Sequence, residues 1–364
     1  MTPVEERLLR RIALTGPISV GAYMSACLTD PDGYYCREEP FGADGDFVTA
    51  PEISQMFGEI IGAWLLERWY KDGTPSPVDL VELGPGRGTL MADILRVTRR
   101  DPRFEGASRV VLVEASDRLR KIQRDRLGPR HPRLDFAQTV PNERPIYLVA
   151  NEFFDALPIR QFVRSGGKWF ERTIGIVGER LGFGLSPYPA ALVLEAPEGA
   201  VREISPVGEA MAVSIGAALS THGVGAALLV DYGHSGAVGG ETFQAVRRHK
   251  NVDVLEAPGE VDLSAHVDFA ALARAASGAG ACAHGPVGQG DFLVALGLLE
   301  RAGQLGAGLD RNGQAGIQAA VERLAGTGKD QMGALFKVLA LTPSSTVPLG
   351  FCPPEDGSRP STIG

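Results

Sequence analysis

Val78-Asp79-Leu80-Val81-Glu82-Leu83-Gly84-Pro85-Gly86-Arg87-Gly88-Thr89 reads as a buried strand that runs into a glycine-rich turn and then a helix. A short, nearly continuous apolar run ending in glycines suits a strand covered on both faces. Thr89 to Arg99 carries helical periodicity, so the glycines sit at a helix N-terminus. Glycine lets the backbone turn and approach a ligand without a Cβ clash, and a helix N-terminus favours negative charge. Three ligand classes compete for such a turn. A phosphate-binding P-loop requires Gly-Lys-Ser/Thr, which this segment lacks. A dinucleotide fingerprint would place its third glycine at position 89, which is Thr89.

The remaining spacing, Gly84-x-Gly86-x-Gly88 with Glu82 two residues ahead, resembles the S-adenosylmethionine loop of class I methyltransferases. A second apolar run, Val110 to Val113, leads into Glu114, 28 residues beyond Gly86. An acid there can accept hydrogen bonds from both ribose hydroxyls. A solvated strand-end glutamate is the plainer alternative. The resemblance implies S-adenosyl-L-methionine as cofactor, cradled by Gly84, Pro85, Gly86 and Gly88, with S-adenosyl-L-homocysteine as its product. Glu82 would face the methionine amino group, directly or through water. Gln138, after a third strand near Leu134 to Ala137, is a candidate for the adenine and equally a surface residue.

Outward from the loop, Ile146 to Ala150 and Ala226 to Val230 are two more apolar runs, and a charged helix spans Ser116 to Leu127. Strands alternating with helices indicate an α/β fold: a Rossmann-like, mostly parallel sheet covered on both faces. The two later runs are separated by some 75 residues, far more than a crossover needs. Within that gap, Lys168 to Ile174 and Arg180 to Leu185 alternate like antiparallel strands, so the gap holds a β-rich and helical insertion that caps the sheet. The first segment looks helical, with breaks at Gly16-Pro17 and Asp30 to Gly33 and an irregular loop at Gly42 to Phe47. The expected division is an N-terminal helical cap over 1–72, a cofactor-binding domain over 73–163 and 222–345, an inserted cap over 164–221, and a tail over 346–364. Helices are expected near 268–278, 289–303 and 314–325, with a last strand at Leu335 to Leu341.

Composition narrows the function. The chain has 364 residues, 44% apolar and 22% charged, enough for an ordinary globular core. A formal charge of -8 disfavours nucleic acid as the main partner and is compatible with a cationic substrate. The four cysteines form no C-x-x-C pair and the six histidines no H-E-x-x-H, so no metal site is expected. No run reaches the roughly 20 apolar residues that membrane insertion requires. The N-terminus lacks a secretory apolar stretch and carries acids, so the expected address is cytoplasmic, or the mitochondrial matrix for a processed organellar chain.

The fourth strand runs into Asn151-Glu152-Phe153-Phe154-Asp155-Ala156-Leu157-Pro158, and the fifth into Asp231-Tyr232-Gly233-His234. Ligands of open α/β sheets sit beyond the carboxyl ends of the strands, so these loops should face the transferred methyl group. Glu152 and Asp155 beside two phenylalanines suit a wall that binds a cation, and Asp231 adds a third acid. Paired carboxylates hold a planar guanidinium and can accept the proton it sheds on methylation. Helix capping is the competing role for such acids.

Several irregular segments, in order, resemble the MidA-type class I methyltransferases, a family that includes a mitochondrial complex I assembly-factor arginine methyltransferase. They are Gly33-Tyr34-Tyr35, Gly45 to Glu59, Glu82 to Thr89, Asn151 to Pro158, Asp231 to His234, Asp262 to Phe269 and Gln331 to Val338. The resemblance covers nearly the whole chain. It implies symmetric dimethylation of an arginine in a 49 kDa-type subunit of respiratory complex I. It also suggests that Asp46, Thr49, Glu52, Ser54 and Gln55 close over the cofactor, beside Asn151; helix capping by Thr49 or Ser54 is the plainer alternative and accounts for only part of that run. His266 and Asp268 are further candidates for the site. A small-molecule N- or O-methyltransferase and a non-catalytic assembly factor are the alternative functions, and a homodimer is left open.

Overall fold

The computed structural model describes residues 1–36, 49–236, 240–247 and 250–351. The loop expected at Gly42 to Phe47, and Asp46 with it, lies outside the described residues.

Among the described residues the central sheet has eight strands, seven of them in one continuous row: β1 (Val78–Leu83), β2 (Ser108–Val113), β3 (Leu134–Ala137), β4 (Ile146–Asn151), β5 (Ala226–His234), β6 (Cys282–Gly288) and β7 (Phe336–Thr342), while Val267–Asp268 pairs with the end of β5. Their order is β6-β7-β5-β4-β1-β2-β3, and β7 alone runs antiparallel to its neighbours. The expected strands are all present. Strand β6 was not expected: Gly285 and Pro286 interrupt its pattern, which a sheet edge tolerates.

Alternate side chains of each strand leave opposite faces of the sheet, and each face has its own core. Val78, Leu80, Val110, Leu112, Tyr147 and Val149 pack with helices α3 (Gln55–Lys71) and α4 (Thr89–Thr98). Val81, Leu83, Val111, Val113, Leu148 and Ala150 pack with α6 (Pro206–His222) and α7 (Phe269–Gly278). Helix α5 (Asp117–Leu127) follows β2. The expected helices near 289–303 and 314–325 appear as Gln289–Ala295, Leu298–Gly306 and Arg311–Ala325.

The inserted sheet spans Arg160–Ile204, where 164–221 had been expected. Arg160–Ser165 already pairs with Lys168–Val177, so the insertion begins before residue 164. Pro206–His222 buries Ala212, Ile215 and Leu219 on the central sheet, which makes that helix part of the main domain. The N-terminal segment also contributes to the inserted sheet, through Ile18 and Ser19 paired with Ile174 and Thr173. Val4 and Leu8 of α1 (Pro3–Thr15) and Tyr23 and Met24 of α2 (Val20–Thr29) share a third core with Ile174 and Leu181, so the N-terminal helices pack with the insertion.

Gly216 sets how closely α6 and α7 approach. A Cβ there would stand 2.4 Å from the carbonyl oxygen of Ala276, backbone that cannot rotate away. We expect Gly216→Ala to cost about 1–3 kcal/mol, as overpacked cores do. Urea denaturation checks this, and an unchanged midpoint would contradict the packing described.

Candidate active site

The carboxyl ends of β1, β2 and β4 open onto a cavity of about 370 Å³, within the range of small-molecule sites. After Glu82 and Leu83 the chain enters the left-handed region at Gly84 (φ 58°), Gly86 (φ 50°) and Gly88 (φ 75°), where a side chain would be strained. Gly84 is also a close approach, because a Cβ there would meet the Phe153 ring at 2.7 Å. Gly84, Pro85 and Gly86 line the cavity. Gly88 instead faces α5, its would-be Cβ 3.2 Å from Leu127.

Two acids stand at the strand ends. Glu82 is 3% exposed, lines the cavity, and has a side-chain oxygen, Oε2, without a hydrogen-bond partner. Burial, opposed by the Met91 backbone N–H and aided by the charge of Glu114, pushes its carboxyl up to about 8. Glu114 is held from two sides: Ser116 N–H donates to Oε1 at 2.8 Å, and Gln123 Nε2 donates to Oε2 at 3.0 Å. The same Gln123 nitrogen donates to the Gly86 carbonyl at 2.7 Å, tying the glycine loop to the acid of the next strand. Sequence reasoning missed Gln123, since a polar residue in a charged helix gives no sign of being buried.

The turn after β4 hangs on Asp231. That side chain is fully buried, and its Oδ2 accepts from the backbone N–H groups of Phe153 (3.1 Å), Phe154 (2.9 Å) and Asp155 (3.2 Å). Its Oδ1 accepts from Tyr232 N–H at 2.9 Å. The expectation of Asp231 on the acidic rim is therefore corrected: four backbone donors occupy it, and it does not line the cavity. Asp155 does not line the cavity either. Burial raises its carboxyl while a hydrogen bond from Tyr232 opposes the shift, and its Oδ1 lacks a partner.

Glu152 does line the cavity, from a backbone held at φ 49°, a region costly for any residue but glycine. Its Oε1 accepts from Ala50 N–H (3.2 Å) and Asn151 Nδ2 (3.0 Å). Burial first, and then the charge of Asp155, pushes this carboxyl up to about 7. Asn151 lines the cavity too, with Oδ1 buried and unpartnered.

Thr49 and Glu52 bring the N-terminal segment to the same cavity, and Glu52 accepts from Thr89 Oγ1 at 2.8 Å. Tyr35 and Leu28 line it as well, unforeseen from the sequence. Gln138 does not: it is exposed past β3 and away from the cavity lining. His266 and Asp268 line a different cavity. Among the described residues no cluster of three or more His, Cys, Asp or Glu could hold a metal, and no helix is long and apolar enough to cross a membrane.

The cavity fits an aminoacyl sulfonium nucleoside. Glu82 and Asn151 offer unpartnered buried oxygens beside a glycine turn, and Glu114 stands one strand away where ribose hydroxyls are bound in such folds.

Raised carboxyls have a consequence for stability. Glu82 and Glu152 hold their protons more tightly in the folded protein than in the unfolded chain. Between about pH 6.5 and 8 the folded state thus binds more protons, and stability falls as pH rises. We expect the ligand-free melting temperature to drop by a few degrees across that window, and Glu82→Gln to flatten the slope. A melting temperature that rises with pH there would contradict the burial of these acids.

Comparison with known proteins agrees with this geometry. Residues 60–287 match the model of a family described as S-adenosyl-L-methionine-dependent methyltransferase. The protein arginine methyltransferase NDUFAF7, mitochondrial, of Xenopus tropicalis is 35% identical, over 93% of this chain and 85% of its own length. Its Homo sapiens counterpart is 35% identical, over 94% and 84%. A crystal structure from Burkholderia thailandensis bound to S-adenosyl-homocysteine superposes with a TM-score of 0.81 at 28% identity, covering 95% of this chain and 93% of that one. The chain belongs to the MidA-type family of S-adenosyl-L-methionine-dependent methyltransferases.

Proposed function

We propose that this enzyme methylates a guanidinium nitrogen of an arginine in a protein substrate, and that Glu152 is the group that receives it. The carrying observation is the placement of Glu152. Its carboxylate lines the same cavity as the glycine loop, on a turn that Asp231 fixes through three backbone N–H groups. The bound cofactor supplies an electrophilic methyl group on a sulfonium. Glu82, Gly84, Pro85, Gly86, Glu114, Asn151 and Thr49 are the residues proposed to hold it.

Ala50 and Asn151 immobilise Oε1 of Glu152. The carboxylate then faces a cation with its geometry fixed, which favours a planar guanidinium over a freely rotating partner. An approaching guanidinium stabilises the ionised form of Glu152, which localises positive charge on the nitrogens it holds and leaves the remaining one nucleophilic. The proton shed by that nitrogen on methylation can pass to the ionised Glu152, whose burial favours the protonated form once the cation's charge is reduced. Similarity to relatives named as mitochondrial arginine methyltransferases supports the arginine assignment. The finer proposal, carried by family resemblance, is symmetric dimethylation of a 49 kDa-type complex I subunit in the compartment where that complex assembles.

Incubation of the enzyme with methyl-labelled cofactor and cell lysate should label protein, with the label on arginine. Label confined to small metabolites would overturn the assignment. With saturating cofactor, kcat/KM for the protein acceptor should rise with pH to a plateau above about 7, as Glu152 ionises. Glu152→Gln should lose about 10²–10⁴-fold in kcat, the span of a general base, while cofactor affinity by calorimetry stays unchanged. Wild-type turnover in that variant would remove Glu152 from the chemistry.

A further inference from the structure

Helix α5 fastens two strand ends of the cofactor cavity to one another. Arg120, Gln123 and Arg126 recur on it at helical spacing, and each donates to a segment that follows β1 or β2. Arg120 Nε donates to the Glu114 carbonyl at 2.8 Å, and Arg126 Nη1 to the Arg87 carbonyl at 3.2 Å. These outer two hold backbone. Gln123, between them, also holds a side chain that lines the cavity: its Nε2 donates to Glu114 Oε2 as well as to the Gly86 carbonyl.

Gln123 is fully buried and does not itself line the cavity. Both of its partners are pure acceptors, so the amide nitrogen faces them and the oxygen faces away. That oxygen, Oε1, is buried without a hydrogen-bond partner. An orphaned buried acceptor costs stability that an apolar side chain of the same length would avoid. Packing alone therefore does not explain an amide at this position.

Fixing a carboxylate does explain it. Ser116 N–H donates to Oε1 of Glu114 at 2.8 Å, and Ala115 N–H also bonds this carboxylate, both from the acid's own turn. Gln123 grips the other oxygen from outside that turn. A bond on each oxygen sets the plane of the group, which the last torsion of a glutamate leaves broad. An ionised carboxylate has about four acceptor sites, so the group so fixed keeps capacity for ligand hydroxyls. The bond to Gly86 sets the same group against the glycine loop, and the loop and the acid line one cavity.

We propose that Gln123 is a positioning residue for the cofactor: it aims the Glu114 carboxylate at the ribose hydroxyls and keeps it in register with the glycine loop. The proposal rests on the reading of Glu114 as the ribose partner. It makes discrimination between a ribose and a deoxyribose ligand depend on a side chain outside the cavity wall.

The test measures binding of S-adenosyl-L-homocysteine, and of its 2′-deoxy and 3′-deoxy analogues, to the full-length protein by calorimetry. Wild type should lose about tenfold in affinity for each hydroxyl removed, as for a hydrogen bond to a charged acceptor. Gln123→Met keeps the length of the side chain without its donor. It should weaken S-adenosyl-L-homocysteine about tenfold and shrink the loss per hydroxyl to about twofold. Placed on Glu114→Gln, it should add less than about twofold, because the two residues act through one bond. Gln123→Asn, an amide too short to span both partners, should behave alike and replaces the methionine variant if that one does not fold. A variant that weakens all three ligands by the same factor has only loosened the fold and overturns the proposal. An effect that adds in full to that of Glu114→Gln overturns it too. Wild type that binds all three ligands alike defeats the Glu114 reading and the proposal with it, a failure told apart because it appears before any variant is compared.

Discussion

The buried carboxylate of Asp231 governs the reaction side of this molecule. Three consecutive N–H groups, from Phe153 to Asp155, converge on one of its oxygens and a fourth N–H on the other. Burial and the charges of Asp155 and Glu152 raise the proton affinity of Asp231, the backbone N–H groups oppose that shift, and in a water-free interior their hydrogen bonds have no competitor. This anchorage offsets the left-handed backbone of Glu152 and decides where each neighbour points. Glu152 and Phe153 turn to one cavity and Phe154 to another, while Asp155 lines neither. Strand β5 brings Asp231 to the end of β4 by regular parallel pairing, so the site depends on sheet register.

A second constraint is electrostatic. Glu82, Glu114 and Glu152 crowd the ends of adjacent strands, and burial raises the proton affinity of each. Leaving several acids partly desolvated costs stability that a structural role would not require. The arrangement makes sense when its ligands are cations. An ammonium near Glu82 and a guanidinium near Glu152 would each restore the ionised state, so binding draws its strength from acids held short of full charge. In this account the net charge of -8 matters less than where the few buried charges sit.

Much of this was legible in the sequence because it is local. The strand, the glycine turn and the helix behind it fall within 22 residues, and Glu82 and Glu114 are fixed by being strand-end residues. The alternation of strands with helices, and hence the mostly parallel sheet, followed from periodicity. The roles of Asp231 and Asp155 were not legible, since an acid beyond a strand looks alike whether it faces a ligand or binds backbone 77 residues away. For Gln138 the sequence leaves adenine binding and the surface equally open, and position after β3 does not decide between them; β3 is the sheet edge and Gln138 is exposed. The insertion boundaries slipped because Arg160–Ser165 lacks clean alternation and Pro206–His222, rich in small residues, gives no sign of which body it packs on.

Burial holds Glu82 mostly protonated at pH 7, and a cation bound beside it would ionise it. Calorimetric titration of S-adenosyl-L-methionine at pH 7, repeated in buffers with different heats of ionisation, counts the protons exchanged on binding. With Glu82 near 8 in the free protein, binding should release on the order of one proton, and Glu82→Gln should abolish most of that release. An enthalpy independent of buffer, or the same release from Glu82→Gln, would contradict the account.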